Sequence, residues 1–263
     1  MEINAIMLAM LDIPAELTQE YNRWYDLDHL AEHVSKGDVL AGRRYVAPRE
    51  LRRVPGVQPS EWTGGYPPYL TMYLFGGPLD FVSDEAQALW RDMDRGIVKA
   101  GRFWREGHTT HGSRWRVADA VARPSVLVSK PAIPYLAHRG VIIALGKAPS
   151  AERMQEAVDW WNGTHLVDLF AVEGVVAAIR GAPADPTPAD TLLHVLLCED
   201  APADVMARIA ESMRYQRAIG RFPAHGGVYE SIAFLPFDRI VPLEYDFDIS
   251  NDDITTDEVP TDA

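Results

Sequence analysis

Short apolar runs alternate along the chain with segments in which apolar residues recur every three or four positions. Runs this short, rich in Val, Ile and Leu, predict buried strands, and the three-to-four spacing predicts amphipathic helices. The strands are predicted at 3–11, 37–46, 69–75, 140–145, 174–179 and 192–198, and two long helices at 83–96 and 203–218. The first long helix carries its apolar spacing on Ala86, Leu89, Trp90 and Met93.

This order of elements occurs twice along the chain. Residues 21–30, with the sequence YNRWYDLDHL, align with residues 157–166, with the sequence AVDWWNGTHL. A Gly-Arg-Phe tripeptide, at 101–103 and again at 220–222, marks the approach to a fourth strand in each half. Both halves therefore predict the order β-α-β-β-α-β, and the repeat is an internal one.

Such a unit forms a four-stranded antiparallel sheet with both helices on one face. The other face is apolar and must be covered, so two such sheets are expected to pack together and close a barrel-like core. The predicted boundaries are 1–118 for the first module, 119–138 for a linker, 139–243 for the second module and 244–263 for an acidic tail.

The motif Trp24-Tyr25-Asp26-x-x-His29, followed by Gly37 and Arg43-Arg44-Tyr45, resembles the EthD-like branch of the dimeric α/β-barrel superfamily. The resemblance covers both halves. It implies an α+β fold of two tandem ferredoxin-like modules, packed sheet to sheet as a pseudo-dimer. It also implies a pocket between the sheet and the first helix. The superfamily includes cofactor-free monooxygenases, lactone isomerases, polyketide decarboxylases and haem enzymes, so the fold does not determine the reaction.

The first half is expected to hold the main site. In the second half Asn162 replaces Asp26, Trp161 replaces Tyr25 and Leu169 replaces His33. A duplicated pocket that has lost its polar groups is expected to keep structure rather than chemistry.

Tyr25 and His29 lie four residues apart, so they share one face of the first helix, and His33 continues that row. Histidine titrates near neutrality, which suits it to general acid or base catalysis. We expect His29 to be the acid or base, Asp26 to orient it, and Tyr25 to donate a hydrogen bond to a developing oxyanion. The structural alternatives are a helix-end His29 bonded to a backbone carbonyl, and a solvated helix end for His33.

Further residues are expected to contact the substrate. The long loop 48–68 is rich in Pro, Gly and aromatic residues, and loops of this length are often lids. A guanidinium such as that of Arg44 suits a carboxylate or phenolate. The predicted substrate-binding residues are His33, Arg44, Trp62, Tyr66, His108, Trp161 and His165. No metal site is predicted, because His108 and His111 would point to opposite faces of a strand.

The charge of the chain is concentrated near its C-terminus. The chain has 25 Lys and Arg against 38 Asp and Glu, a net charge of -13. Eight of these acids follow Leu243 with no basic residue among them, which leaves -5 for the rest of the chain. An acidic protein is a poor partner for nucleic acids or anionic membranes. The alternation of Tyr245, Phe247 and Ile249 with acids predicts an edge strand.

Cys198 is the only cysteine, so no intrachain disulfide is possible, and its apolar neighbours predict an inert core thiol. No stretch is long and apolar enough to span a bilayer, and the expected location is the cytoplasm. A homodimer is compatible with the sequence.

The function expected from the sequence is a small-molecule enzyme without an organic cofactor. It would be a lyase or isomerase that acts by proton transfer on a hydrophobic aromatic or polyketide-like compound, in a decarboxylation, dehydration or isomerisation. Two alternatives stay open. One is a non-catalytic ligand-binding or accessory protein, and the other is a haem-dependent enzyme with a pocket histidine as axial ligand.

Overall fold

The structure is a computed structural model that describes residues 2–35, 39–76, 84–184, 186–222 and 227–250. The side chains of 84–87, 89–90 and 93–94 are outside this description. The apolar spacing predicted for the first long helix falls on side chains outside this description: Ala86, Leu89, Trp90 and Met93. Gly37 and the acidic end 251–263 lie outside the described residues altogether.

Eight strands and six α-helices follow the predicted order, and in each half the first predicted helix is divided into two by a π-helical turn. The strands are β1 Ile3–Asp12, β2 Val39–Val46, β3 Tyr69–Gly76, β4 His108–Ala122, β5 Gly140–Lys147, β6 Val175–Ala184, β7 Thr191–Cys198 and β8 Glu230–Arg239. The helices are α1 Thr18–Trp24, α2 Leu30–Val34, α3 Asp84–Lys99, α4 Met154–Trp160, α5 Leu166–Phe170 and α6 Pro202–Ala218. A π-helical turn joins α1 to α2 at Tyr25–His29, and another joins α4 to α5 at Trp161–His165.

The strands form one closed antiparallel barrel in the order β1-β3-β2-β8-β5-β7-β6-β4. Within it the first four strands lie in the order β4-β1-β3-β2 and the last four in the order β8-β5-β7-β6, which is the strand order of the predicted unit in each half. The α+β class and the antiparallel sheet are confirmed.

The two seams of the barrel differ in length. β2 and β8 pair only at Tyr45↔Arg239 and Val46↔Asp238, whereas β4 and β6 pair from Arg114↔Ala184 to Ala122↔Ala177. β4 thus continues beyond the predicted module boundary at 118 and into the predicted linker. Further along that linker Ile133 is buried in the core of the barrel, so the segment also covers part of the sheet.

Large apolar side chains fill the barrel interior. Leu8, Met10, Trp115, Ile143 and Phe237 have no exposed surface and belong to one cluster. Burial of this apolar surface is the main stabilising contribution. A ligand site is therefore expected on the outer face of the barrel, beneath the helices, rather than in its centre.

The segment after β8 returns to the first half. Tyr245 and Ile249 are buried there beside Tyr21 and Tyr25. The predicted edge strand is wrong for the described part of the segment, because the chain up to 250 has no strand pairing and its groups bond to other partners. The backbone N–H of Arg49 donates to the carbonyl of Asp248, and the Arg52 guanidinium donates to that of Ile249.

Cys198 lies in the core, and burial raises the pKa of its thiol, which agrees with an unreactive cysteine. Among the described residues, no helix has the length and apolarity needed to cross a membrane.

Candidate functional site

A cavity of about 530 Å³ lies between the outer face of the first-half sheet and the helical segment above it. We call it the first-half cavity. Met7, Ala9, Gly112 and Arg114 line it from the strands, and Trp24, Tyr25, His29 and His33 line it from the helical segment. The residues between 103 and 109, which lead into β4, close one side. Tyr25, His29, His33 and His108 are thus the predicted site residues that the structure brings together.

The π-helical turn determines how the helical residues face the cavity. Each such turn widens the helix by one residue, and turns of this kind occur frequently at functional sites. The turn Tyr25–His29 includes both the predicted catalytic tyrosine and the predicted catalytic histidine. The equivalent turn, Trp161–His165, lies at the matching place in the second half.

The imidazole of His29 makes no hydrogen bond within the described part of the chain. Its ring stacks on Trp24 at a centroid distance of 4.7 Å and lies 4.1 Å from the ring of His33. Its Nδ1 is buried and has no partner. Burial, and after it the neighbouring His33, lower the pKa of His29 to about 3. The imidazole is therefore neutral at physiological pH, and a lone pair on it is not used by the protein.

His33 is buried, with 2% of its surface exposed, so the solvated helix end is wrong. Its Nδ1 lies 2.7 Å from the carbonyl oxygen of His29. A carbonyl oxygen only accepts, so Nδ1 carries a hydrogen and donates it to this carbonyl.

Two tyrosines form a hydroxyl pair on the cavity wall. The hydroxyl oxygens of Tyr25 and Tyr73 are 2.9 Å apart, and burial raises the pKa of both phenols. Both are therefore protonated hydrogen-bonding groups. The Arg44 guanidinium lies over the Tyr25 ring, 4.2 Å from its centroid, which holds the ring by a cation–π contact.

Asp26 does not orient His29, which corrects the prediction. One carboxylate oxygen accepts a hydrogen bond of 2.8 Å from Arg44, and the other accepts one of 2.6 Å from the Tyr245 hydroxyl. On a regular α-helix, two side chains three residues apart can touch. The π-helical turn changes the angle between the side chains of Asp26 and His29. Neither Asp26 nor Arg44 lines the cavity, so Arg44 as a substrate ligand is also wrong.

The loop 48–68 covers the barrel interior and not the first-half cavity. Trp62 packs against the core cluster of the barrel, and its carbonyl accepts a hydrogen bond from His111. The Tyr66 hydroxyl donates to the carbonyl of Pro236 on β8. Neither aromatic side chain lines the cavity, because both are needed to cover apolar strand residues.

The second-half residues predicted to bind substrate are packed into the core. Trp161 stacks on His194 at 3.5 Å between ring centroids, and burial lowers the pKa of His165 to about 4. Tyr229 and Phe234 belong to the same buried cluster as Trp161. Neither Trp161 nor His165 contributes to the first-half cavity.

Three residues that line the cavity were not predicted from the sequence: Gly112, Arg114 and Tyr73. A glycine inside a strand often marks a place where a ligand or another chain approaches closely. Gly112 pairs with Ala9 on β1, and a Cβ added to it would meet no atom within 4 Å. A glycine inside a strand, followed two positions later by an arginine on the same face, could have indicated this part of the cavity from the sequence.

Comparison with known proteins identifies the fold alone. No family model matches the sequence, and no curated protein matches it. A protein assigned as a Dyp-type peroxidase from Shewanella oneidensis is similar, with a TM-score of 0.54 and 8% identity over 93% of this chain and 94% of that chain. A variant of chlorite dismutase from Candidatus Nitrospira defluvii has a TM-score of 0.50 and 12% identity over 92% of this chain and 93% of that chain. The chain therefore has the ferredoxin-like dimeric α/β-barrel fold.

These likenesses contradict the function expected from the sequence. The proteins that share the fold are named as a peroxidase and a chlorite dismutase, which are oxidative enzymes and neither lyases nor isomerases.

Proposed function

We propose that this protein is an oxidoreductase whose first-half cavity binds haem, with His29 as the ligand to the iron. The observation that carries the proposal is the His29 imidazole, which is neutral and makes no hydrogen bond among the described residues. A neutral ring nitrogen is what a haem iron takes as an axial ligand. The names of the two proteins that share the fold support oxidative chemistry.

The residues around the cavity fit a large, flat and mostly apolar group. Its volume of about 530 Å³ lies within the range of cofactor and small-molecule pockets, roughly 300 to 1,000 Å³. Gly112 leaves open the space that a side chain would fill. Phe103 and Trp104 add apolar wall, and the buried indole N–H of Trp104 has no partner among the residues that the structure describes.

Haem, when bound, supplies one-electron and oxygen or peroxide chemistry. The protein supplies the setting for that chemistry. His29 holds the group in place, and its stacking on Trp24 fixes the plane of the ring. Tyr25 and Tyr73, kept protonated by burial, offer hydroxyl groups to a polar atom of a bound molecule. The apolar wall excludes water, which strengthens these polar contacts.

The tandem duplication and the EthD-like relationship belong to the same proposal. Matching contacts in the two halves support the duplication. The Trp24 indole donates to the carbonyl of Arg102 at 2.7 Å, and the Trp160 indole donates to that of Arg221 at 3.4 Å. The two arginines also pair with acids on the helical segment above, Arg102 with Asp28 and Arg221 with Asp168.

Titration of the purified protein with hemin tests the proposal. We expect a Soret band that shifts on binding, and His29→Ala should lose the shift while its melting temperature stays close to that of the wild type. His108→Ala is the matched control, because His108 also lines the cavity but is exposed. Equal binding by the wild type and His29→Ala would assign the ligand elsewhere. No spectral change with the wild type would favour the non-catalytic ligand-binding alternative.

A further inference from the structure

Arg114 differs from Arg44 and Arg102, two arginines of the first half, because its guanidinium has no partner among the described residues. Arg44 pairs with Asp26, and Arg102 pairs with Asp28 and Glu32. Within the described residues the side chain of Arg114 makes no hydrogen bond, whereas its backbone N–H donates to the Thr187 hydroxyl and its carbonyl accepts from it. The residue is half-buried and lines the cavity.

The strand register places Arg114 at the edge of the open floor of the cavity. Arg114 pairs with Met7 on β1, and Met7 pairs with Tyr73 on β3. Gly112 and Ala9 form the next pair on the same face. The arginine therefore stands beside the part of the floor that has the smallest side chains.

A charged group beside an apolar wall loses part of its hydration, and no carboxylate of the described residues pairs with Arg114. Glu106 also lines the cavity, but its only hydrogen bond within the described segments is with the backbone of Arg105. A guanidinium is a planar fork that matches a carboxylate by two parallel hydrogen bonds. The arrangement suits an anionic ligand that lies flat on the floor.

We propose that Arg114 binds a carboxylate of the molecule that occupies the first-half cavity. The inference rests on the proposed function in one respect, that this cavity is the binding site. The carboxylate has two sources, a propionate of haem or the acid group of an aromatic substrate, and both present the same chemistry to Arg114.

Binding measurements with three probes separate the two sources. The probes are hemin, hemin dimethyl ester and 1-naphthoate, and binding is followed by quenching of tryptophan fluorescence, since Trp24 and Trp104 line the cavity. The variants are Arg114→Met and Arg114→Lys. Arg116→Met is the control, because Arg116 lies on the same face of β4 but does not line the cavity.

If a propionate is the partner, Arg114→Met weakens hemin binding roughly tenfold to a hundredfold, the range for a lost hydrogen bond to a charged group. Hemin dimethyl ester then binds the variant and the wild type equally, and Arg114→Lys restores part of the hemin affinity. If a substrate is the partner, hemin binding is unchanged and naphthoate binding falls by that factor.

The inference is overturned if Arg114→Met binds both hemin and naphthoate as Arg116→Met does. A different result concerns the proposed function alone. If hemin binds neither the wild type nor any variant, the haem proposal fails. If naphthoate binding still depends on Arg114 in that case, the carboxylate site stands.

Discussion

The hydroxyl of Tyr245 donates a hydrogen bond of 2.6 Å to the carboxylate of Asp26, and so joins the segment after the last strand to the first helical segment. The other oxygen of this carboxylate accepts from Arg44. The guanidinium of Arg44 in turn lies over the ring of Tyr25, which lines the first-half cavity. The C-terminal segment therefore supports the wall of the cavity from behind.

Tyr245→Phe removes this hydrogen bond but keeps the ring. We expect the free energy of unfolding to fall by about 1.5 to 3 kcal/mol, the contribution of a hydrogen bond to a charged partner. Chemical denaturation in urea measures it. Tyr215→Phe is the control, because the Tyr215 side chain is exposed and the variant should unfold like the wild type. Equal unfolding curves for both variants would show that the bond does not contribute to stability.

Asp26→Ala leaves the Arg44 guanidinium buried without its carboxylate. The two side chains are 6% and 4% exposed, and removal of one partner of a buried pair costs about 3 to 5 kcal/mol. The double variant Asp26→Ala/Arg44→Met should recover part of that loss, because no uncompensated charge remains. A thermodynamic cycle over the four proteins measures the coupling, and additive effects would contradict it.

The sequence predicts the fold better than it predicts the contacts of the site. The alternation of apolar runs and the repeat of Trp24 and His29 at Trp160 and His165 are local signals, and they correctly predict the order of the elements in both halves. The order of the elements depends on periodicity, which a sequence displays directly. The pocket between the sheet and the first helix was expected from the family resemblance instead.

Side-chain partners depend on distances that a sequence does not display. Asp26 is near His29 along the chain, but its partners are Arg44 and Tyr245, which are distant in sequence. The π-turn that separates Asp26 from His29 has no pattern of its own. Trp62 resembles a lid residue by composition, and only the course of the loop shows that it covers the barrel interior.

Acid should destabilise the protein through its buried histidines. Burial lowers the pKa of His29 to about 3 and that of His165 to about 4, against an ordinary value of 6.5. Between pH 6.5 and the lowered pKa of each histidine, the unfolded chain binds protons that the folded chain does not. Stability is therefore lost as the pH falls below about 6.5. Burial raises the pKa of Asp238 to about 6, which acts in the opposite direction.

His165→Gln should reduce this pH dependence. Between pH 6.5 and 5 the slope of unfolding free energy against pH should fall by up to about 1.4 kcal/mol per pH unit, the value for one proton. Urea denaturation at several pH values measures the slope. His108→Gln is the control because its side chain is exposed, and the slope should stay that of the wild type. A slope unchanged in His165→Gln would mean that this histidine titrates alike in both states.

Gly112→Leu should fill the floor of the first-half cavity without disturbing the barrel. A Cβ at Gly112 meets no atom within 4 Å, so the side chain has free space and can extend over the floor. The melting temperature should change little, because the new side chain displaces nothing. Hemin and 1-naphthoate should bind at least about tenfold more weakly, since a ligand overlapping the leucine loses its apolar contacts and the space it needs.

Gly146→Ala on β5 is a contrasting variant in the second half. A Cβ there would overlap the ring of Tyr229, which packs against this part of the sheet. This variant should unfold at lower denaturant concentration, by about 1 to 3 kcal/mol, because the buried tyrosine must move. The sheet is thus covered by Tyr229 at Gly146, whereas the floor of the first-half cavity is open at Gly112. If Gly112→Leu bound hemin and naphthoate as tightly as the wild type, their site would lie outside the first-half cavity.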